Sequence, residues 1–270
     1  SIFFQAPDEG AGTDAILVAA GIEAVSEGDF AADNNATKLS FKTGASEAAT
    51  EKMSISSAGN VTMKNTATGD DTPMTLTLQT GETDIAASDK IGVINFQAPD
   101  EGTGTDAILV AAGIEAVSEG DFSSSSNATK LSFKTGASEA AAEKMALSSA
   151  GALTVTGDIT AYSSDERLKD LEGTIPSALE KIQKLNGYNF TWNDKAKELD
   201  EHLFKDQKEV GVSAQEVQAV CPEIVKPAPF NSDYLTVQYE KLVPLLIESI
   251  KELKSELDEH KKGCQCDTTK

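Results

Sequence analysis

Arginine is missing from residues 1–163 of this 270-residue chain, and lysine is scarce there: 8 lysines stand against 23 acidic residues, a net charge of −15. The remainder carries 15 basic against 21 acidic residues, a net of −6, so the whole chain stands at −21. Neither half offers a basic stripe, which excludes nucleic acid and an anionic membrane surface as partners. No run of about 18 apolar residues occurs, so no membrane insertion is expected. Aromatic residues make up only 6% of the chain, and no cluster of them in the first half marks a sugar-stacking platform. The two histidines, His202 and His260, make no metal site, and no twelve-residue calcium loop is present; neither a metal nor a cofactor is expected. Cysteines number three. Cys221, just before Pro222, reads as a small buried residue. Cys264 and Cys266 follow Gly263 in a tail, where exposed reduced thiols, interchain disulfides and weak metal binding all stay open. There is no initiator methionine and no signal peptide, and the chain starts inside a repeat; it is expected to be a piece of a longer protein.

What the first half does have is duplication. Residues 2–63 recur almost letter for letter as 94–155, a period of 92, with a spacer at 64–93. Asp14 through Phe30 returns unchanged as Asp106 through Phe122, and Asn35 through Ala49 as Asn127 through Ala141. The spacer holds an alternating run of its own, Pro73 to Thr80.

The repeat reads as short strands. Lys130–Thr135 alternates polar and apolar, as a half-buried strand should, and so do Met145–Ser148 and Ala152–Thr156 around a glycine turn. Ile91–Phe96 is another strand, closed by Pro99 to Gly102. Ala15–Ala20 is a short apolar run, taken as a strand because Gly21 and Gly28 punctuate it. Strands with so few large apolar side chains bury little on their own and struggle to offset the entropy of ordering. Either copies stack along an axis, or several chains wrap together so that each completes the others' core. Paired carboxylates, Asp8/Glu9 and Asp100/Glu101, sit in Pro/Gly turns, where acidic residues serve turn chemistry and solubility. No hydrolase site is expected in this half.

Past residue 163 the texture changes. Ser177–Leu185 spaces its apolar residues as an amphipathic helix, stopped by Asn186-Gly187. Tyr188–Trp192 alternates as a strand, with Trp192 as core. Asp194–Lys208 is a charged loop or frayed helix. Glu209–Val212 is a buried strand, Ser213 caps a helix over Ala214–Val220, and Cys221-Pro222 ends it. Leu235–Tyr239 is a strand leading into the last helix. There Val243, Leu246, Ile250, Leu253 and Leu257, with His260 beyond, step by 3 and 4, a coiled-coil seam over residues 240–262. The plainer alternative is a helix that packs on its own domain.

Between the halves lies Ser163-Ser164-Asp165-Glu166-Arg167-Leu168-Lys169. A lysine amine that has lost its proton can take one from a serine hydroxyl, and the alkoxide can attack a carbonyl. Burial or a neighbouring positive charge must lower the lysine pKa, and Arg167 is near in sequence. On spacing alone the pair is weak, and a solvated charged turn is the plain reading.

Three blocks change that reading: Ser-Asp-Glu-Arg-Leu-Lys at 164–169, Val-Gly-Val-Ser-Ala-Gln-Glu-Val-Gln at 210–218 with Cys-Pro-Glu at 221–223, and the run from Tyr234 to Leu253. As a set and in this order, they resemble the C-terminal intramolecular chaperone, auto-processing domain of phage tailspikes, tail fibres and endosialidases (peptidase family S-seventy-four). Ser213, where a larger apolar residue is common, and the acidic segment Asp170–Gly173 depart from the pattern without touching the pair. The resemblance implies that Ser164 is the nucleophile, Lys169 its general base, and Ser163–Ser164 the bond cut: a self-cleaving serine endopeptidase with a single turnover in cis. It implies a homotrimer, which the seam residues alone do not decide.

The expected architecture is a mainly β, repetitive trimeric fibre shaft over 1–163, followed by a small α+β chaperone domain over 164–270 that ends in a long coiled-coil helix. The expected function is the distal part of a phage tail fibre or tailspike in the virion tail, assembled in the host cytoplasm. Its partner there is a host-surface receptor, a glycan, bound through the shaft or through regions outside this chain. A structural fibre with a retained, non-cleaving trimerisation domain is the alternative. A membrane-tethered regulator that uses the same domain is disfavoured by the missing span and by the repeats.

Overall fold

The computed structural model describes residues 1–5, 13–14, 16–99, 104–160, 163–200 and 204–265. They fall in two compact units, Ser1–Gln79 and Thr80–Lys270. Asp8, Glu9, Asp100, Glu101, His202, Cys266 and the side chain of Cys264 lie outside the described residues.

The first unit is an antiparallel meander of five strands: β1 (Ile2–Phe4), β2 (Ala20–Ser26), β3 (Thr37–Thr43), β4 (Thr50–Ile55) and β5 (Val61–Met63), each paired with the next. The second unit opens with the same meander: β6 (Lys90–Phe96), β7 (Ala112–Ser118), β8 (Thr129–Thr135), β9 (Ala142–Leu147) and β10 (Leu153–Val155). Identical sequence gives identical register, down to the irregularity after Phe41 and after Phe133.

Of the run taken as a strand at 15–20, residues 16–19 form none. Leu17 N–H bonds back to Asp14 C=O in a turn, Ala19 N–H reaches Phe4 C=O, and the strand begins only at Ala20. The apolar residues there lead the chain into β2 beside β1. Gly21 therefore stands inside a strand, not at a break. A Cβ on it would lie 2.8 Å from the Phe3 ring and 3.2 Å from Ile2 O, a close approach that only glycine accommodates. The alternating run at 73–80 forms no strand, and Met74, Leu76 and Leu78 are exposed.

Each meander has two unlike faces, because side chains alternate along a strand. On one, Ile2, Ile22, Phe41, Met53 and Met63 form a row across all five strands. Leu39, Ile55 and Val61 form the next row, and Phe4 lies two residues on from Ile2. In the second copy the rows are Ile94, Ile114, Phe133, Met145, Val155 and Leu131, Leu147, Leu153, with Phe96 beside Ile94. None of these eighteen side chains is fully buried in the single chain. The opposite face carries Glu23, Lys38, Ser40 and Lys42, and in the second copy Glu115, Lys130, Ser132 and Lys134. There Ser40, Ser132 and Glu115 are the buried ones, covered by lysine stems that reach over to their carboxylates. The expected alternation is present, with its apolar side uncovered.

After the second sheet the unit becomes α+β. Its elements are α1 (Ala178–Ile182), β11 (Gly187–Phe190), α2 (Asp194–Leu199), β12 (Glu209–Val212), α3 (Ala214–Val220), β13 (Val225–Ala228), β14 (Asn231–Val237) and α4 (Leu242–Gln265). β11 pairs with β12, and β13 with β14, both antiparallel. Ser213 caps α3 as expected, its hydroxyl accepting the Glu216 N–H. Ala178, Val217, Cys221, Ile224, Val225 and Leu245 form the core, flanked by Ile175, Ile182, Leu235 and Leu242. Trp192 is half-buried in a row of rings, edge-on to Phe190 at 5.1 Å and tilted on Phe204 at 4.6 Å, outside the buried cluster. Among the described residues no helix is long and apolar enough to cross a membrane.

Candidate functional site

Ser164 and Lys169 are brought together by a single turn of 3-10 helix, Glu166–Leu168. Asp165 starts it: its Oδ1 accepts the Arg167 N–H at 2.9 Å. Lys169 ends it, with its N–H on Glu166 C=O and an extended backbone. The lysine side chain then reaches back, and its Nζ lies 2.8 Å from Ser164 Oγ, donating to it. The five-residue spacing is thus spanned by one turn in one chain.

Arg167 does not serve as the neighbouring cation expected for Lys169. Its guanidinium grips Asp165, with Nε 3.0 Å from Oδ1 and Nη2 2.6 Å from Oδ2. That pairing holds the Asp165 carboxyl below the usual carboxylate range, with a smaller contribution from Lys169. An ionised carboxylate therefore stands close enough to Lys169 to feel its charge. All of 163–171 is exposed, including Leu168 at 75% and Leu171 at 67%. Desolvation, the usual means of freeing a lysine amine of its proton, is not supplied by this chain alone.

Downstream, the segment is tied to the last helix. Ser177, at the start of α1, has a left-handed backbone (φ 51°) and makes no side-chain cap. Glu252 of α4 supplies one instead: its two oxygens accept the N–H groups of Ala178 at 2.9 Å and Leu179 at 2.7 Å. Those two bonds hold its carboxyl below the ordinary value. Sequence reasoning missed this contact. A glutamate on a charged helix, 74 residues from its partner, carries no local signal.

The second block has an equally local reason. Gly211 is buried, and a Cβ on it would stand 2.7 Å from Tyr239 Oη and 3.2 Å from the Phe190 ring. Tyr239 Oη also accepts the Val212 N–H at 3.2 Å. Glu216 of the same block accepts the Asn186 N–H at 3.0 Å and the Tyr188 hydroxyl at 2.6 Å. Cys221 is buried, and burial pushes its thiol pKa up.

Helix α4 has two working faces, so the two readings of it are not exclusive. Leu242, Leu245, Ser249 and Glu252 turn inward on the domain. Val243, Leu246, Ile250, Leu253 and Leu257, the seam read from the sequence, are all exposed, Ile250 at 66%. His260 beyond them is exposed as well.

Comparison with known proteins adds the following. Residues 164–226 match the family described as chaperone of endosialidase. Long tail fiber protein Gp37 of Enterobacteria phage K3 is 35% identical over 98 residues, which is 36% of this chain and 8% of that protein. Its counterpart from Enterobacteria phage T2 is likewise 35% identical over 98 residues, 7% of its length. The chain thus spans less than a tenth of the relatives it matches. Among solved structures, the carboxy-terminal domain of the bacteriophage T5 L-shaped tail fiber with its intra-molecular chaperone domain aligns over 95% of this chain and 90% of that one. The identity is 10% and the TM-score 0.26, too low to argue a shared fold.

Proposed function

From a chain whose residues 164–226 carry a chaperone-of-endosialidase domain, we propose the distal part of a phage tail fibre that attaches the virion to a host-surface glycan. Its C-terminal domain, from Ser164 on, drives homotrimer assembly and then releases itself by autoproteolysis. The observation that carries the proposal is the 2.8 Å contact of Lys169 Nζ with Ser164 Oγ inside the matched segment. The neutral amine takes the hydroxyl proton, and Oγ attacks the carbonyl carbon of Ser163. The bond from that carbon to the Ser164 nitrogen breaks, and the nitrogen receives the proton from Lys169. Water hydrolyses the resulting ester, leaving a carboxylate on Ser163 and a free amine and hydroxyl on Ser164.

Because serine and lysine already touch in one chain, assembly contributes burial rather than contact. Neighbouring chains cover Leu168 and Leu171, desolvate the amine and so couple cleavage to correct assembly. The uncovered sheet faces and the exposed α4 seam support association of copies. Departure of the chaperone leaves a shaft that is kinetically trapped. The open position of the pair also favours a second reading, a retained trimerisation domain that never cuts. Intact mass under denaturing conditions separates the two. A wild-type fragment ending at Ser163, absent in Ser164→Ala and in Lys169→Ala, is the expected outcome. Full-length wild-type chain in a stable trimer would establish the retained domain.

A further inference from the structure

The polar face of the second sheet carries a cleft of about 750 Å³, within the range of about 300–1,000 Å³ that small ligands occupy. The spacer builds one side of it. Its residues 85–90 run beside the end of β7. The Ser88 N–H bonds to Ser118 C=O at 3.0 Å, the Phe122 N–H to Ile85 C=O at 2.9 Å and the Ala87 N–H to Asp121 Oδ1 at 3.3 Å. Ser88 and Lys90 of this segment line the cleft, and Val117, Ala141 and Ala142 give it a small apolar lining.

The charge in the cleft is uneven. Glu115 is 6% exposed and accepts from two ammoniums on one oxygen, with Lys90 Nζ and Lys134 Nζ each 2.9 Å from Oε1. Burial pushes its carboxyl up, but the two lysine bonds outweigh that and hold it below the ordinary value. It is therefore ionised, and two positive charges meet one negative. Among the described residues its counterpart in the first sheet, Glu23, pairs with one lysine, Lys42. The additional cation is Lys90, which belongs to the spacer and not to the duplicated stretch. The other lining carboxylates do not cancel it. Glu143 is matched by Lys130 at 2.7 Å. Glu119 accepts the Ser149 N–H at 2.8 Å and stands four residues on from Glu115, about 13 Å away at strand spacing, beyond the screening length of about 8 Å. The Lys90 side chain is 53% exposed, so a ligand can reach the surplus ammonium.

Resting on the reading that the shaft engages a host-surface glycan, we propose that this cleft takes an acidic sugar residue of that glycan. The sugar carboxylate sits on Lys90 and Lys134, its hydroxyls on the Lys130–Glu143 pair, and its C–H face on Ala141 and Ala142. A sugar fits better than a bare anion, because a donor and an acceptor stand beside the cationic end in a volume far larger than a small ion fills. No ring is among the described lining residues, so recognition rests on charge and hydroxyl groups.

The test titrates the full chain, carbon-13 labelled at its alanine methyls, with a hyaluronan tetrasaccharide, whose uronates supply the carboxylate. Neutral chitotetraose and sodium sulfate are the controls. Saturable shifts of the Ala141 and Ala142 methyls are expected with the acidic sugar and with neither control. Lys90→Met leaves Glu115 with one lysine, the state in which Glu23 folds, and is expected to weaken binding about tenfold or more. Lys64→Met, the same charge change on the first sheet, is expected to leave affinity unchanged. No saturable shift in the unsubstituted chain, an unchanged affinity in Lys90→Met, an equal loss in Lys64→Met, or an equal response to chitotetraose or sulfate would overturn the site and leave the attachment reading standing. Adsorption of the chain to host cells that survives periodate oxidation of their surface glycans would instead overturn the glycan reading, and this site with it.

Discussion

The second repeat sheet leaves Ile94, Phe96, Leu131 and Leu153 open to solvent, while further along the same unit Val217 and Leu245 are sealed in a core. Both regions alternate or space their apolar residues correctly. They differ in what lies on the other side. In the repeat, the apolar rows stay exposed or half-exposed. In the C-terminal part, β13, β14 and α4 come back over α1 and α3 and close a core. The apolar face of a sheet must be buried against another layer, so a meander with one bare apolar face is half of a structure. The C-terminal part closes a core within one chain and leaves the α4 seam among its exposed apolar residues.

That contrast is broken most strongly at two adjacent residues of α4. Leu245 is 1% exposed and Leu246 45%. Leu245→Ala is expected to cost about 2–5 kcal/mol by leaving a cavity, whereas Leu246→Ala changes domain stability by less than about 0.5 kcal/mol and lowers the mass in sedimentation. Denaturant unfolding followed at Trp192, the only tryptophan, reports on this domain. Equal losses for the two would mean that the seam is part of the domain core. Gly211→Ala is the next largest effect. The added methyl, 2.7 Å from Tyr239 Oη, is expected to cost about 1–3 kcal/mol by overpacking, again read by Trp192 fluorescence. An unchanged midpoint would remove the close-approach argument.

The smallest effect sharpens the other side of the comparison. On the polar face of the first sheet, the Lys38 ammonium holds the Glu51 carboxyl down to about 2. A carboxyl depressed by folding stabilises the sheet above its ordinary value near 4.5, and that contribution is lost as pH falls through about 2. Carbon-13 titration of Glu51 should show this midpoint, moved back toward the ordinary value in Lys38→Met. A normal midpoint in the unsubstituted protein would show that the ion pair is not maintained in solution.

Much of this was legible in the sequence because it is local. The alternation at Lys130–Thr135 and the cap at Ser213 are written within a few residues, and α3 runs over the residues expected. The seam is local too, since a heptad needs no partner to be seen. Other features depend on contacts far along the chain. Gly21 reads as a break until β1 is laid beside β2. The capture of Arg167 by Asp165 is a choice between two plausible neighbours, and geometry makes it. The cap that Glu252 lends to α1 crosses 74 residues. Which sheet face ends up uncovered depends on what returns over it, and periodicity does not encode that.

The Glu252 cap also sets a leash. From Lys169 to Ala178 the chain has nine steps, and at about 3.3–3.6 Å per residue it reaches at most about 30 Å. Helix α4, at 24 residues and about 1.5 Å each, is roughly 36 Å long. Whatever swing the exposed segment makes, the serine and lysine stay within that radius of a fixed anchor on α4. Glu252 stands ten residues after Leu242 and thirteen before Gln265, so both ends of α4, about 15 and 20 Å away, lie inside that radius. Their choice of target is thus limited by the length of the tether before any chemistry begins.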